Sequence, residues 1–182
     1  MNFRKNGNNG KNGNIKLIAI IVVLFLFVPL SGCGIQTIEE SAELDGLYEV
    51  VRVVDGDTIV VSVNGEDTKI RLIGIDTPES VHPDKNKNTN EGKEASIWTK
   101  DLLNDKEIYL EYDVDTEDDY GRTLAYVYLD DGVTMVNRLL LENGFAQTMT
   151  IQPNSKYADE FHDLQVTARE AKTGFWKTNY FE

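Results

Sequence analysis

A chain of 182 residues with 41% hydrophobic side chains has material for one sizeable core rather than several. Its 31 acidic residues against 18 Lys and Arg, a net charge of −13, argue against a tight nucleic-acid-binding module that works by clustered cations and counterion release. A single cysteine, Cys33, excludes an internal disulfide.

The first 32 residues differ from the rest. Arg4, Lys5, Lys11 and Lys16 lie in an Asn/Gly-rich run without acids, and an apolar run follows from Leu17 to Leu30. That layout reads as a secretory signal peptide, because 14 apolar residues fall short of the ~20 that span a bilayer as a helix. An uncleaved membrane anchor is the competing reading, and both put the following domain outside the cytoplasm. The run ends in Leu30-Ser31-Gly32-Cys33, which resembles the lipobox of bacterial lipoproteins. The resemblance implies cleavage before Cys33, a diacylglycerol on its thiol, and a lipid anchor at the extracellular face of the cell membrane. Residues 33–46 lack a clear period and read as the lipidated cysteine and a tether, with the folded domain at 47–177. Removing residues 1–32 leaves 14 Lys and Arg against 31 acids, a charge of −17.

Three β-rich runs open the domain: Tyr48 to Val54, Asp57 to Val63 and Lys69 to Ile75. Asp55-Gly56 and Asn64-Gly65 between them are tight-hairpin signals, so the runs form a meander. The third leads into Asp76-Thr77-Pro78-Glu79, and Pro78 ends the strand where the carboxylates begin because it cannot donate to a ladder. Asp76 and Glu79 therefore sit on a turn fed by a rigid strand, held still yet exposed, as metal or phosphate chemistry requires. If the Asp57 hairpin packs beside the Arg71 strand, Asp57 and Asp76 offer two hard oxygen ligands better suited to Ca²⁺ than to Zn²⁺. Two solvated Asp-rich turns are the plain alternative for either turn alone. Arg71 and Asp76 differ by an odd number, which strict alternation places on opposite sheet faces, so a bend is expected at Gly74.

The loop from His82 to Asn90 has no apolar residue to pin it and is expected to be mobile. His82 is assigned no chemistry, and Lys85 and Lys87 read as solvated, though within reach of a phosphate. Glu91 to Leu103 reads as a helix with Ala95, Trp98, Leu102 and Leu103 on its apolar stripe. Strands follow at Glu107 to Tyr112 and Arg122 to Leu129. The stretch Glu111 to Asp119 holds six acids in nine residues and opens with acid/apolar alternation, so it reads as an exposed strand edge rather than a second metal site. Arg122 opens an apolar strand after Gly121 and is poised to face an anion, with a pair to neighbouring acids as the alternative. Val136 to Asn143 is a short helix stopped by Gly144, and Phe145 to Ile151 is extended. A last helix runs from Pro153-Asn154 to about Lys172, with Tyr157, Phe161, Leu164, Ala168 and Ala171 on one face. Phe175 and Trp176 are expected to fold back on the core. The whole is an α+β chain, mainly β, built on a small five-stranded barrel with three helices.

Val54-Asp-Gly-Asp-Thr58, Arg71-Leu-Ile-Gly-Ile-Asp-Thr-Pro-Glu79 and Asp119-Tyr-Gly-Arg-Thr-Leu-Ala-Tyr126 together resemble the three signatures of the staphylococcal nuclease (thermonuclease) family, in order and spacing, over about Tyr48 to Trp176. The resemblance implies an OB-fold barrel with three helices and Ca²⁺-dependent hydrolysis of phosphodiester bonds in single-stranded or unwound DNA and RNA. Carried over by position, it implies Asp57 and Asp76 as Ca²⁺ ligands through their carboxylates and Thr77 through its backbone carbonyl. It implies Glu79 as the group that positions or deprotonates the attacking water, Arg71 and Arg122 as grips on the scissile phosphate, and Tyr120 as a contact to a neighbouring phosphate. Elementary chemistry agrees, since attack on a phosphodiester builds negative charge that a metal and two guanidinium forks stabilise.

The chain departs from the family's basic members at Asp119, where they carry Lys, and at Met149 and Ile151, where they carry Tyr, so weaker substrate binding is expected. Glu79→Gln and Arg71→Ala are each expected to lower turnover with the fold intact. A monomer is the working expectation. Two functions compete: a non-catalytic OB-fold module for single strands or oligosaccharides, and a Ca²⁺-binding surface lipoprotein. The former has no need of Asp57, Arg71, Asp76, Glu79 and Arg122 together, and the latter rests on the acid excess alone.

Overall fold

The computed structural model describes residues 43–182. The leader, Cys33 and most of the tether lie outside the described residues. The elements follow as β1 (Asp45–Asp55), β2 (Thr58–Val63), β3 (Glu66–Leu72), β4 (Gly74–Asp76), α1 (Asn90–Leu103), β5 (Glu107–Glu111), β6 (Thr123–Leu129), α2 (Val136–Glu142), β7 (Gln147–Met149) and α3 (Ala158–Glu170). Short 3₁₀ turns cover Lys85–Lys87 and Gly174–Lys177. β1 begins at Asp45, inside the segment read as a tether.

Two tight turns set the register. Asp55 pairs with Thr58 across Gly56-Asp57, and Val63 pairs with Glu66 across Asn64-Gly65. The strands close into a barrel in the order β1-β2-β3-β6-β5, antiparallel except where β3 meets β6 in parallel. This is the OB-type architecture expected from the sequence. Its interior is filled by β-branched and aliphatic side chains such as Ile59, Val61, Ile70, Leu72, Ile108 and Leu110, each wholly or almost wholly buried. Burial of each contributes about 1.5–3 kcal/mol. The helices cap this core with Leu103, Leu140, Leu141 and Phe161, and Phe175 and Trp176 are buried as expected.

The bend falls at Gly74. β3 stops at Leu72 instead of running to Ile75, and Gly74, at φ +79°, turns the chain out of the barrel. A Cβ there would strike the Phe161 ring. Gly74–Asp76 then pairs with β7, placing Gly74 opposite Met149 and Asp76 opposite Gln147. Asn137 secures the break from inside: its side chain donates to the Ile73 carbonyl at 2.8 Å and accepts from the Val127 N–H at 3.0 Å. Because Asn137 is completely buried, Asn137→Ala orphans both groups. It is expected to destabilise the fold by about 2–4 kcal/mol, read as a lowered urea midpoint.

One expectation changes. Glu111 is not on an exposed edge: it is 2% exposed, accepts from the Tyr128 and Tyr157 hydroxyls, and pairs with Lys156 at 2.6 Å. The acid/apolar alternation misleads here because the partners come from β6 and the start of α3, beyond any local pattern. The loop after Pro78 carries polar hydrogen bonds of its own. The His82 N–H donates to Asn88 Oδ1, Asp84 caps the Lys85–Lys87 turn, and the Thr89 N–H donates to the Glu79 carbonyl at 2.9 Å.

Candidate active site

The β2–β3 ladder pairs Thr58 with Arg71, so the Asp57 turn lies beside the end of β3. The Leu72 N–H donates to the Asp57 carbonyl at 2.9 Å, which fixes that contact in backbone. Arg71 then folds its side chain over the bend. Its Nη1 donates to the carbonyls of Leu72 and Ile75, each at 2.9 Å. Its Nη2 meets Asp57 Oδ2 at 3.1 Å and Asp76 Oδ1 at 3.3 Å. One nitrogen thus touches both carboxylates, and their oxygens lie no further apart than those two contacts end to end. The Thr77 N–H closes the group by donating to Asp57 Oδ2 at 2.9 Å.

The electrostatics is that of two acids sharing a partly dry corner. Burial pushes the Asp76 carboxyl up, the charge of Asp57 pushes it further, and Arg71 and Gln147 oppose both. Glu79 is exposed on the turn past Pro78. Its carboxyl is also raised, by burial first and then by the charges of Asp55 and Asp57, with His82 acting against them. The buried hydroxyl of Thr77 has no hydrogen-bond partner. Among the described residues no three His, Cys, Asp or Glu side chains form a group that could hold a metal ion by themselves. Any cation here rests on the Asp57–Asp76 pair with backbone oxygen and water.

Sequence reasoning missed the residue that positions all of this. Asp55 is buried and accepts from the Gly56 N–H, the Ser80 N–H and the hydroxyls of Ser80 and Ser96, the last at 2.8 Å. It ties the β1–β2 turn to the Glu79 turn and to α1. Thr99 adds a bond from α1 to the Gly56 carbonyl at 2.8 Å. Gly92 lets α1 close up, since any Cβ there would overlap the Glu79 carbonyl. A short acid before the hairpin glycine was the only local signal, and its partners lie up to 41 residues away.

Arg122 and Tyr120 stand on the other side of a cleft of about 390 Å³ that Arg71 also lines. Arg122 is paired with Asp118, Nε to Oδ2 at 2.6 Å, and its guanidinium lies 5.5 Å from the centre of the Tyr120 ring. The alternative of a pair with neighbouring acids is therefore realised, at the rim of the cleft. Tyr120 is 85% exposed. Met149 and Ile151 supply an apolar wall, and Asp115, Glu117 and Asp119 an acidic one.

Burial works to raise the Asp118 carboxyl, but the bonds it accepts from Arg122 and from the Tyr120 N–H outweigh this and hold it below the usual carboxylate range. A carboxyl with a lowered folded pKa stabilises the fold above its unfolded value, near pH 4, and that contribution is lost as pH falls through the folded value. Wild-type stability is expected to fall more steeply than that of Asp118→Asn below about pH 4. Urea unfolding at pH 7 and pH 3 checks this; equal slopes would contradict it.

Comparison with known proteins gives a consistent result. The family model described as staphylococcal nuclease homologue matches residues 69–178. The chain is 39% identical over 166 residues to a thermonuclease of Staphylococcus hyicus, a match covering 89% of this chain and 94% of that one. It is 38% identical over 164 residues to a thermonuclease of Staphylococcus intermedius, covering 90% and 95%. It is 39% identical over 132 residues to the endonuclease YncB of Bacillus subtilis, covering 71% and 61%. The matched span holds the Arg71 bend, the Glu79 turn, the Arg122 rim and all three helices, and the chain belongs to the staphylococcal nuclease homologue family.

Proposed function

We propose that this protein is a Ca²⁺-dependent nuclease that hydrolyses phosphodiester bonds of single-stranded or unwound DNA and RNA, held by a lipid on Cys33 at the extracellular face of the cell membrane. The observation that carries the hydrolytic reading is the convergence of Asp57, Arg71 and Asp76 on a single guanidinium nitrogen at the bend, with Glu79 three residues on and Arg122 across the same cleft. Relatives with nuclease names at nearly 40% identity support it.

The donor set suits Ca²⁺. Asp57 and Asp76 are hard oxygen donors whose mutual repulsion a cation relieves, and the Thr77 carbonyl would complete the protein's share. A bound divalent ion supplies charge neutralisation at the phosphate and orientation of a water. The remaining chemistry belongs to the chain. Glu79 takes a proton from the attacking water as the new P–O bond forms and the ester P–O bond breaks, the departing oxygen taking a proton from solvent to leave as an alcohol. Arg122 donates to the phosphate oxygens on which charge builds. Nη2 of Arg71 would be free to join it where Asp57 and Asp76 hold an ion, while Nη1 donates to the two backbone carbonyls and holds the guanidinium plane. Tyr120, exposed beside Arg122, contacts the neighbouring phosphate.

A second reading, a non-catalytic barrel that binds single strands or oligosaccharides, draws on Arg71 already serving four protein acceptors. One assay separates them. The purified protein is incubated with single-stranded DNA in Ca²⁺ and in chelator. Degradation in Ca²⁺ that stops in chelator is expected; none at any Ca²⁺ concentration leaves the binding reading.

A further inference from the structure

The bend has a depression on each side. The Arg71 cleft lies at the Gly74–Met149 end of the short β4–β7 ribbon. A second groove begins at the other end, where Asp76 pairs with Gln147, and follows the chain through Thr77, Pro78 and Glu79. Its far wall is built from Tyr180, Phe181 and Glu182, with Lys87 at its edge. The two meet at adjacent residues of the strand, Ile75 lining the first and Asp76 the second.

A phosphodiester has two substituents, and a phosphate held between Arg71 and Asp76 needs room for both. We propose that the second groove is a nucleotide subsite, in which a base stacks on the Tyr180 ring and Lys87 faces the adjoining phosphate. The inference rests on the nuclease reading of the bend. Tyr180 suits the task because it is 37% exposed while its position is fixed. Its N–H donates to the Phe175 carbonyl at 3.2 Å, and its ring lies 6.0 Å from that of Phe175 and 5.3 Å from that of Phe181. Phe181 in turn packs against buried Trp176 at 4.9 Å. The groove also holds Asp76, Glu79 and Glu182, so among the described lining residues Lys87 is the one cation. Phosphate attraction is weak in such a place, and stacking, which is indifferent to base identity, carries the recognition. The substrate class that follows is a polynucleotide with a nucleoside on both sides of the scissile phosphate.

The test compares thymidylyl-thymidine with its two truncated forms, the methyl ester of thymidine 3′-phosphate and that of thymidine 5′-phosphate. Each keeps a phosphodiester and replaces one nucleoside with methyl. The kcat/KM on the dinucleotide is divided by that on each ester, for wild type, Tyr180→Ala and Tyr180→Phe. In Tyr180→Ala one of the two ratios is expected to fall about tenfold, through KM, and the other to stay, because only one ester lacks the nucleoside that lies on Tyr180. Tyr180→Phe, which keeps the ring, should restore the lost ratio. Neither ratio moving, both moving, or Tyr180→Phe behaving like Tyr180→Ala would overturn the subsite. If wild type cleaves none of the three, single-stranded DNA decides the nuclease reading, which fails where that polymer is not degraded in Ca²⁺ either. Anisotropy of a labelled single-stranded oligonucleotide then decides the subsite: weaker binding by Tyr180→Ala supports it and equal binding overturns it.

Discussion

Glu79→Gln is expected to lower turnover on single-stranded DNA by about 10²–10⁴-fold while the urea midpoint stays where it was. The two effects separate because backbone and side chain of Glu79 have different employers. The Glu79 carbonyl accepts from the Thr89 N–H and lies against Gly92, so the scaffold fixes the main chain. The side chain is exposed and its carboxyl meets buried Asp55, to which an amide of the same shape can still donate, so the contact survives the replacement. What the amide cannot do is accept a proton. Turnover should fall with KM little changed, as for a group that acts only in the transition state. A loss of stability in step with the loss of activity would make Glu79 a structural acid.

Arg71→Ala is expected to do both. The sequence alone gives an arginine at the end of a strand whose removal should spare the fold. The structure revises this: the Arg71 side chain is 13% exposed and serves two backbone carbonyls and two carboxylates. Truncation removes a donor from the Leu72 and Ile75 carbonyls and the one positive charge between Asp57 and Asp76, leaving those carboxylates only neutral donors such as the Thr77 N–H and Gln147. The expected cost is about 2–4 kcal/mol of stability, together with a fall in kcat of about 10²–10³-fold or more. Arg71→Lys keeps the charge but not the fork, so it should recover part of the stability and little of the activity. Urea unfolding and kcat on the same preparations check this. An unchanged midpoint in Arg71→Ala would mean that the staple over the bend contributes nothing.

The contrast between these two residues shows how far the sequence reaches. The hairpins read at Asp55-Gly56, which turns one residue later at Gly56-Asp57, and at Asn64-Gly65, the Gly74 bend and the aromatic return at Phe175-Trp176 were all legible, because each is specified by neighbours within a few residues. The bend in particular followed from the odd spacing of Arg71 and Asp76. The partners of buried polar groups were not legible. Asp55 reads as one more hairpin acid, yet its bonds reach Ser80 and Ser96. Glu111 reads as a solvated edge, yet it is enclosed by Tyr128, Tyr157 and Lys156. Arg122 reads as facing an anion or pairing with one of the acids before it, and the structure selects Asp118, four residues back, a choice among six acids that the sequence leaves open. In each case the deciding contact depends on closure of the barrel or on a turn geometry that composition does not encode. The β4–β7 ribbon, which sets the two depressions apart, was visible only as an extended stretch from Phe145 to Ile151.

The central claim is that Asp57 and Asp76 share one divalent cation. A calorimetric titration with Ca²⁺ of wild type, Asp57→Asn and Asp76→Asn at one ionic strength tests it most directly, since the other surface acids contribute equally to all three. One site in wild type, weakened about tenfold or more in each variant, is the expected result. The same number of sites with the same affinity in all three proteins would contradict it.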